Sequence, residues 1–205
     1  MLSNQGFDLW ADGYDKSVGL SDEANTYPFA GYKAVLGRIF QEVTQCEKPD
    51  VLDIGFGTGT LTTRLYQRGC EIWGQDFSKE MLRIAAEKMP KARLFRGDFS
   101  EGLVPQLARM RYDFIIATYS LHHLTDAQKV SLLHTLCGCL KPGGKILIGD
   151  VAFETRAALE ECRAAAGAEW DEDEIYFVAD ELRESFARLR FEQISACAGV
   201  IEIAD

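Results

Sequence analysis

Residues 51–59 read VLDIGFGTG, a short apolar run that ends in three glycines at alternate positions. The apolar residues around Asp53 predict a buried strand, and the residues that follow have the spacing of a helix. Glycine at positions Gly55, Gly57 and Gly59 permits backbone angles closed to other residues and leaves main-chain N–H groups open to a ligand. The stretch therefore predicts a turn that brings backbone against a small nucleotide-like ligand.

The spacing of the glycines distinguishes between two classes of ligand. In the dinucleotide fingerprint GxGxxG, the third glycine lies three positions after the second and lets a helix pack close beneath a pyrophosphate. Here Thr60 occupies that position, and Gly59 lies two positions after Gly57. The spacing therefore disfavours an NAD-dependent oxidoreductase, although glycine clusters also mark ordinary turns.

The composition of the 205 residues is that of an ordinary globular protein, with 47% hydrophobic and 26% charged residues. A chain of this length suits one domain with a buried core. The net charge is −10, and no run rich in lysine or arginine is present. Because phosphate binding needs a concentrated basic surface, we expect no nucleic-acid partner.

We expect neither a secretory leader nor a membrane span. The N-terminal residues lack a basic segment followed by an apolar core, and no window reaches the length of a membrane helix. We therefore expect a cytoplasmic protein with no membrane partner. The six cysteines form no CxxC pair and have no accompanying histidine cluster, which predicts reduced thiols and no metal site.

Strand-like and helix-like patterns alternate along most of the chain. After the first strand, the patterns predict helices over 61–69, 78–90 and 126–140 and strands over 71–76, 92–95, 112–118 and 145–151. The strands are apolar runs with little polar alternation, as in a parallel sheet that is covered on both faces. This order predicts a doubly wound α/β fold.

The end of the chain departs from this alternation. A helix is predicted over 180–189, and two strand-like runs follow it with only Ala198 and Gly199 between them. A two-residue link permits an antiparallel hairpin but no parallel crossover. The sequence thus predicts a mostly parallel sheet that ends in an antiparallel hairpin.

Three acidic residues lie at the ends of successive predicted strands: Asp53, Asp76 and Asp98. In an open α/β sheet the ligand binds outside the carboxyl ends of the strands, so these are candidate binding residues. A carboxylate at Asp76 can accept both hydrogen bonds of a ribose diol. The competing interpretation is that such aspartates cap the helices or turns that follow them.

The residues around Asp98 suit an adenine ring. Its carboxylate can accept a hydrogen bond from the exocyclic amine, while the backbone N–H of Phe99 donates to a ring nitrogen. Phe77 and Met81 can pack on the faces of the ring. Asp53 would orient the glycine loop or reach an ammonium group of the ligand through water.

Five segments resemble, in order and spacing, the successive motifs of the class I S-adenosylmethionine-dependent methyltransferases. They are DIGFGTG, GQDFS, GDF, YDFIIATYSLHHL and LKPGG, and they cover residues 50–151. The N-terminal segments FDLWADGYDKS and FAGYKAVL also resemble the small bacterial YrrT-like methyltransferases. The resemblance implies a Rossmann-like sheet of seven strands, in which the last strand lies antiparallel beside the fifth.

The resemblance also implies S-adenosylmethionine as the cofactor and S-adenosylhomocysteine as its product. The cofactor-binding positions that it implies are Tyr14, Asp53, Gly55, Phe56, Gly57, Thr58, Gly59, Asp76, Phe77, Met81, Asp98, Phe99 and Thr118. In relatives, the YD pair that contains Tyr14 helps to close the N-terminal helix over the cofactor, although an aromatic residue here can equally pack in the core. Phe56 departs from the small residue or proline that is frequent at its position.

The organisation implied is a single domain in four parts. They are an N-terminal helical lid over 1–45, a cofactor-binding core over 50–151, a substrate-side helical segment over 154–178, and a C-terminal helix and hairpin over 180–205. Acceptor choice is expected in the first and third parts, whose aromatic residues offer walls for a small acceptor or else bury their helices against the sheet. These aromatic residues are Tyr27, Phe29, Tyr32, Trp170, Tyr176 and Phe177.

His122 and His123 follow the fourth predicted strand, in the segment that faces the sulfonium in the fold that the chain resembles. Either histidine could take a proton from the acceptor as a general base. The alternative is that one of them packs against the loop or hydrogen-bonds it. Methyl transfer from a sulfonium is an in-line displacement of an activated group, so positioning in a dry site can supply most of the catalysis.

The segment ATYS stands where amino methyltransferases of nucleic acids carry DPPY or NPPY. Together with the acidic charge, this favours a small-molecule methyl acceptor, with Tyr119 and Ser120 lining the site. The alternative function is a cofactor-binding regulatory or scaffolding protein without transferase activity. The sequence leaves the acceptor atom and the oligomeric state open.

Overall fold

The structure is a computed structural model that describes residues 26–204. Its helices are α1 (Tyr32–Val43), α2 (Thr60–Gln67), α3 (Lys79–Lys88), α4 (Pro105–Ala108), α5 (Asp126–Cys137), α6 (Arg156–Ala166) and α7 (Ala179–Leu182). Within this range, no helix combines the length and the apolar character that crossing a membrane requires. Tyr14 and the part of the expected N-terminal lid before residue 26 lie outside the described residues.

The strands are β1 (Asp50–Ile54), β2 (Glu71–Asp76), β3 (Arg93–Arg96), β4 (Tyr112–Thr118), β5 (Leu140–Phe153), β6 (Phe177–Val178), β7 (Leu189–Gln193) and β8 (Ala198–Ala204). The sheet has the order β3-β2-β1-β4-β5-β8-β7, and the short β6 pairs with β5. Strands β1 to β5 pair in parallel, whereas β8 is antiparallel to both β5 and β7. The predicted doubly wound fold and its antiparallel last strand are confirmed.

The order of the strands in the sheet indicates where a ligand crevice should lie. From β1 the chain runs outward through β2 to β3, and it then returns to place β4 on the other side of β1. The strand order therefore reverses between β1 and β4. In open α/β sheets, ligands bind outside the carboxyl ends of the strands at such a reversal.

Helices cover both faces of the central strands. Because neighbouring strand residues point to opposite faces, Val51 packs in one buried cluster with α1, α2 and α3, while Leu52 packs in another with α4, α5 and α7. Both side chains are fully buried. This packing explains why the strands are apolar without polar alternation.

Two helix starts position residues of the crevice. The hydroxyl of Ser78 accepts a hydrogen bond from the Met81 N–H at 3.2 Å and caps α3 directly after β2. Thr125 and Gln128 form a capping box at the start of α5. Each cap satisfies orphan N–H groups and fixes where the preceding loop ends.

Several predicted boundaries are wrong, and the helix predicted over 126–140 ends at Cys137. Strand β5 begins at Leu140, because Leu140 pairs with Tyr112 and the LKPGG residues bulge out before regular pairing resumes at Lys145. The helix predicted over 180–189 ends at Leu182. The hairpin link is residues 194–197, since Ala198 and its glycine neighbour already belong to β8.

The turn between β7 and β8 holds the segment that precedes α1. The hydroxyl of Ser195 donates to the Ala30 carbonyl at 2.6 Å. The Cys197 thiol lies 3.8 Å from the Pro28 carbonyl. These contacts fix residues 27–31 beside the carboxyl ends of the strands.

Candidate active site

A cavity of about 290 Å³ lies at the carboxyl ends of the parallel strands. One group of lining residues, which we call the glycine-loop wall, comprises residues 55–58, Asp76, Phe77 and Met81. A second group, the histidine wall, comprises Tyr27, His122, His123, Asp171 and Glu174. Polar groups that converge on one cavity are the usual mark of a ligand site.

The glycines of the loop have different steric requirements. Gly55 has a φ of +71°, and a Cβ added there would lie 2.5 Å from the Cβ of Ser120. Gly57 has a φ of +55°, but a Cβ there would meet no atom within 4 Å. Gly59 also has a positive φ and precedes α2. Only glycine fits at Gly55, whereas Gly57 presents open backbone toward the cavity.

Asp76 joins the loop to the end of β2. Its carboxylate accepts hydrogen bonds from the N–H groups of Gly57 and Ser78, both at 2.9 Å. The side chain is buried and lines the cavity. Asp76 thus does what the capping interpretation expects, and a carboxylate, which can accept about four hydrogen bonds, can also face a ligand.

Asp53 lies beneath the loop and does not line the cavity. The Thr62 hydroxyl donates to Asp53 Oδ2, which ties β1 to α2. Asp53 Oδ1 is buried without a hydrogen-bond partner in the described part of the chain. The pKa of Asp53 is raised to about 7, mainly by burial. The hydrogen bond from Thr62 lowers this pKa, and the nearby Asp76 charge raises it.

The larger side chains of the predicted cofactor site mostly reach the cavity. Its lining includes Phe56, Thr58, Phe77, Met81, Phe99 and Thr118. Phe56 fits because β2 carries Gly74 at the point of contact, where an added Cβ would lie 2.6 Å from the Phe56 ring. The unusual aromatic residue in the loop is therefore matched by a glycine in the neighbouring strand.

Asp98 lies apart from these residues. Its side chain is exposed and does not line the cavity. Asp98 Oδ1 accepts a hydrogen bond from the Ser100 N–H at 2.9 Å and so caps the short 3₁₀ turn Phe99–Glu101. The structure thus brings Phe99, but not Asp98, to the cavity.

The residues after β4 are held by both sheet and aromatic contacts. Tyr119 has a φ of +49°, which is uncommon for a residue with a side chain. Its ring centroid lies 5.5 Å from that of Phe29 and 5.0 Å from that of Tyr32. The Ser120 hydroxyl donates to the Ile54 carbonyl at 2.9 Å. These contacts fix the start of the segment that carries the histidines.

His122 is buried between two carboxylates. Its Nδ1 lies 2.7 Å from Asp150 Oδ1, and its Nε2 lies 3.5 Å from Glu174 Oε1. Burial by itself lowers the pKa of His122, but the charge and hydrogen bond of Asp150 together with the charge of Glu174 outweigh it, so the pKa is raised. For His123, burial and the neighbouring His122 lower the pKa to about 4.

An aromatic cluster carries the acidic part of the histidine wall. The Tyr27 ring stacks on Trp170 with centroids 5.1 Å apart. The Tyr27 hydroxyl is hydrogen-bonded to that of Tyr176 and accepts from the Asp171 N–H at 3.0 Å. The Tyr176 hydroxyl donates to Glu174 Oε2 at 2.7 Å. These bonds orient the Glu174 carboxylate.

The same segment is pinned to the histidine loop through the backbone. The Ile175 N–H donates to the His122 carbonyl at 2.8 Å. Lys129, buried in α5, donates to the Ile175 carbonyl at 2.5 Å and to Asp126 Oδ1 at 3.0 Å. Burial lowers the pKa of Lys129 against the effect of Asp126. The histidine wall is thus one connected network.

Sequence reasoning missed three members of this network. Asp150 lies near the carboxyl end of β5, so the strand-end criterion that selected Asp53 would also have selected it. Glu174 closes the acidic run of residues 169–174, in which no single carboxylate stands out from the others. Nothing local distinguishes Lys129 from an exposed helix lysine. Of the predicted aromatic walls, Tyr27, Phe29 and Tyr32 line the cavity, whereas the other three pack behind it or beside it.

The fold and the cavity together define a class of protein. A parallel sheet with an antiparallel strand beside β5, and a glycine-rich loop where the strand order reverses, is the architecture of the Rossmann-like methyltransferases. Solved structures support this. The DhpI complex with SAH (S-adenosylhomocysteine) matches with a TM-score of 0.71 at 18% identity, over 97% of this chain and 93% of that one. Magnesium protoporphyrin IX methyltransferase from Synechocystis PCC 6803, with bound SAH, matches with a TM-score of 0.66 at 18% identity, over 85% and 83%.

Sequence comparisons identify the family. Residues 51–144 match a family model described as a methyltransferase domain. An uncharacterised methyltransferase of Geobacillus kaustophilus is 37% identical over 90% of this chain and 86% of its own length. The chain belongs to the class I S-adenosylmethionine-dependent methyltransferases.

Proposed function

We propose that the chain transfers the methyl group of S-adenosylmethionine to a small-molecule acceptor held at the histidine wall. The observation that carries the proposal is the single cavity that both walls line. A methyl donor on the glycine-loop wall would share this cavity with an acceptor on the other. Direct transfer requires this proximity.

Donor binding is assigned to the glycine-loop wall. The open backbone at Gly57 would face the methionine part, and the Asp76 carboxylate would accept from the ribose diol. Phe77 and Met81 would pack on adenine, with Phe99 at its edge. Asp98 is assigned only an outer contact to the adenine amine, because its carboxylate is exposed and caps a turn.

The chemistry needs positioning more than a strong base. The acceptor atom would form a bond to the methyl carbon while the bond from that carbon to the sulfonium sulfur breaks, and the bonding pair stays on the sulfur. S-adenosylhomocysteine is then the second product. Tyr27, Phe29 and Tyr32 line the cavity beside the reaction and would exclude water from it.

The size and charge of the cavity support a small acceptor. A volume of about 290 Å³ lies at the lower end of the range of small-molecule sites. Glu169, Asp171 and Glu174 all line it, and such an acidic wall repels polyanions. The proposed acceptor is therefore a small molecule without multiple negative charges, and nucleic acid is disfavoured.

Binding and transfer can be tested separately. Calorimetry should show one site for S-adenosylmethionine and for S-adenosylhomocysteine. The absence of binding by either compound at about 1 mM would contradict the donor assignment. Transfer of a radioactive methyl group would then be measured over a panel of small thiols, alcohols, amines and acids. Labelling of transfer RNA or DNA, with none of the panel labelled, would contradict the acceptor assignment.

A further inference from the structure

The histidine wall contains a set of groups that methyl transfer by itself does not require. One nitrogen of His122, one nitrogen of His123 and one oxygen of Glu174 all lie within 4.8 Å of one another. We propose that these three side chains form a binding site for a divalent transition-metal ion, with zinc as the best fit. This assignment revises the expectation from the sequence that the chain has no metal site.

The spacing of two of the ligand atoms already suits a metal. His122 Nε2 lies 3.5 Å from Glu174 Oε1. Bonds of about 2.0 to 2.2 Å in a tetrahedral arrangement separate neighbouring ligand atoms by roughly 3.3 to 3.6 Å. A direct hydrogen bond between a nitrogen and an oxygen spans only about 2.7 to 3.2 Å. The gap is therefore long for a hydrogen bond and right for a shared ion.

The groups behind these atoms orient them as in known metal sites. Asp150 Oδ1 lies 2.7 Å from His122 Nδ1, so a proton shared there leaves the Nε2 lone pair toward Glu174. The Tyr176 hydroxyl donates to Glu174 Oε2 at 2.7 Å, which leaves Oε1 toward the histidine. Metal-binding histidines almost always donate their other N–H to a carboxylate or carbonyl, and metal-binding carboxylates are themselves hydrogen-bonded.

The chemical type of the three coordinating side chains indicates which metal ion would bind. Two imidazoles with one carboxylate suit zinc and its neighbours in the first transition row. Calcium and magnesium prefer sites made of oxygen ligands, and this cluster supplies one such residue. Three protein ligands are the usual number in a catalytic zinc site, where the fourth position is open.

The open position would face the cavity, because all three residues line it. A thiol or hydroxyl group is the chemical class that completes such a site and becomes more acidic on coordination. Its proton would pass to solvent, and the bound sulfur or oxygen would then attack the methyl carbon. This last step rests on the proposed function, whereas the metal site does not.

The test measures metal binding directly. Tag-free protein is dialysed against a chelator and then titrated with Zn²⁺ by calorimetry, and with Co²⁺ while its visible absorption is followed. We expect one ion per chain with a dissociation constant of about 10 µM or tighter. Glu174→Gln and His123→Gln should each weaken binding by at least about tenfold. Glu169→Gln, which removes a neighbouring carboxylate of the same cavity, should leave the dissociation constant within about twofold.

Two outcomes would overturn the metal site. One is the absence of saturable binding of either ion up to about 1 mM. The other is binding that Glu174→Gln and His123→Gln leave unchanged while both variants show the wild-type unfolding curve. S-adenosylmethionine binding is measured on the same samples. Absence of metal binding with intact S-adenosylmethionine binding would contradict the metal site alone, whereas absence of S-adenosylmethionine binding would contradict the proposed function.

Discussion

The two walls of the cavity are held in place by different kinds of contact. The glycine-loop wall depends on backbone: positive φ angles at Gly55 and Gly57, and N–H groups that donate to Asp76. The histidine wall depends on side chains from separate parts of the sequence, joined through Tyr27, His122 and Glu174. The glycine-loop wall comes from residues 55–81, that is, from one βαβ unit and the start of the helix after it. The histidine wall brings together residues from 27 to 174.

This difference bears on what each wall can recognise. Backbone geometry changes little when side chains are exchanged, so a wall built from it suits a constant ligand such as the methyl donor. A wall of hydrogen-bonded side chains can change its shape and charge through single substitutions. It therefore suits the acceptor, which differs among methyltransferases.

The largest expected effect is a loss of stability caused by a substitution in the glycine-loop wall. In Gly55→Ala the new Cβ would lie 2.5 Å from Ser120 Cβ at a φ of +71°. Backbone strain and overpacking together should lower the free energy of unfolding by about 2 to 5 kcal/mol. Urea unfolding measures this loss.

Gly57→Ala is the matched control, because its added Cβ meets no atom within 4 Å. This variant should lose only about 1 to 2 kcal/mol of unfolding free energy. Equal losses in the two variants would contradict the steric distinction.

The second effect comes from the carboxyl group beneath the same wall. The pKa of Asp53 is raised to about 7 in the folded chain, compared with about 3.9 in an unfolded one. The folded state therefore binds this proton more tightly, and the stability that it contributes is complete below about pH 4 and lost as the pH rises through 7. Relative to Asp53→Asn, the wild type should lose on the order of 2 to 4 kcal/mol of unfolding free energy between pH 4 and 8.

Urea unfolding of both proteins across that pH range measures the difference. Since the other titrating groups are common to both chains, subtraction isolates the contribution of Asp53. Parallel pH profiles would show that this carboxyl has an ordinary pKa in the folded protein.

The third effect is on ligand affinity. Asp76→Asn removes one acceptor oxygen and the charge that the ribose is proposed to use. S-adenosylmethionine affinity should fall by about 1.5 to 3 kcal/mol, or roughly 10- to 150-fold. Calorimetry measures the change. Glu80→Gln removes a charge from the surface of the following helix and should bind the donor as the wild type does. An unchanged affinity in well-folded Asp76→Asn would rule out the ribose contact.

The smallest expected effect comes from a substitution in the histidine wall. Tyr27→Phe keeps the stacking on Trp170 but removes the hydroxyl that contacts Tyr176 and the Asp171 N–H. Opening of residues 169–176 should become easier by about 0.5 to 1.5 kcal/mol, so their amide hydrogens should exchange roughly 2- to 12-fold faster.

Hydrogen exchange detected by mass spectrometry measures this change. Donor affinity should stay as in the wild type, because no residue of the glycine-loop wall is altered. Tyr66→Phe on α2 is a matched control. Faster exchange throughout the chain, rather than in residues 169–176, would indicate general destabilisation and contradict the separation of the walls.

The sequence predicts the glycine-loop wall well because its signals are local. The spacing from Gly55 to Gly59 reports backbone angles, and Asp76 ends a strand whose boundaries the sequence defines correctly. Asp98 shows the limit of this reasoning. Its place after a strand fits both a ligand contact and a cap, and only the three-dimensional arrangement reveals that it caps and lies outside the cavity lining.

The histidine wall could not be predicted to the same extent. The meeting of His122 with Glu174 depends on how α6 and the following loop return to the sheet, and no local pattern records this. Lys129 is similar, because its Nζ donates to the carbonyl of Ile175, which is 46 residues away in the sequence. Local propensity also gave the wrong start for β5. The proline and glycines of LKPGG suggested that the strand begins after them, but Leu140 pairs with Tyr112 and so extends the strand.

The bond from Ser195 to the Ala30 carbonyl has a consequence for any attempt to transplant this site. Ala30 directly follows Pro28 and Phe29, which both line the cavity, so the turn between β7 and β8 supports this part of the cavity wall. Grafting only the loops that touch the ligands onto a related scaffold would leave this support behind. A transferable unit would have to include the last hairpin, although its turn does not line the cavity.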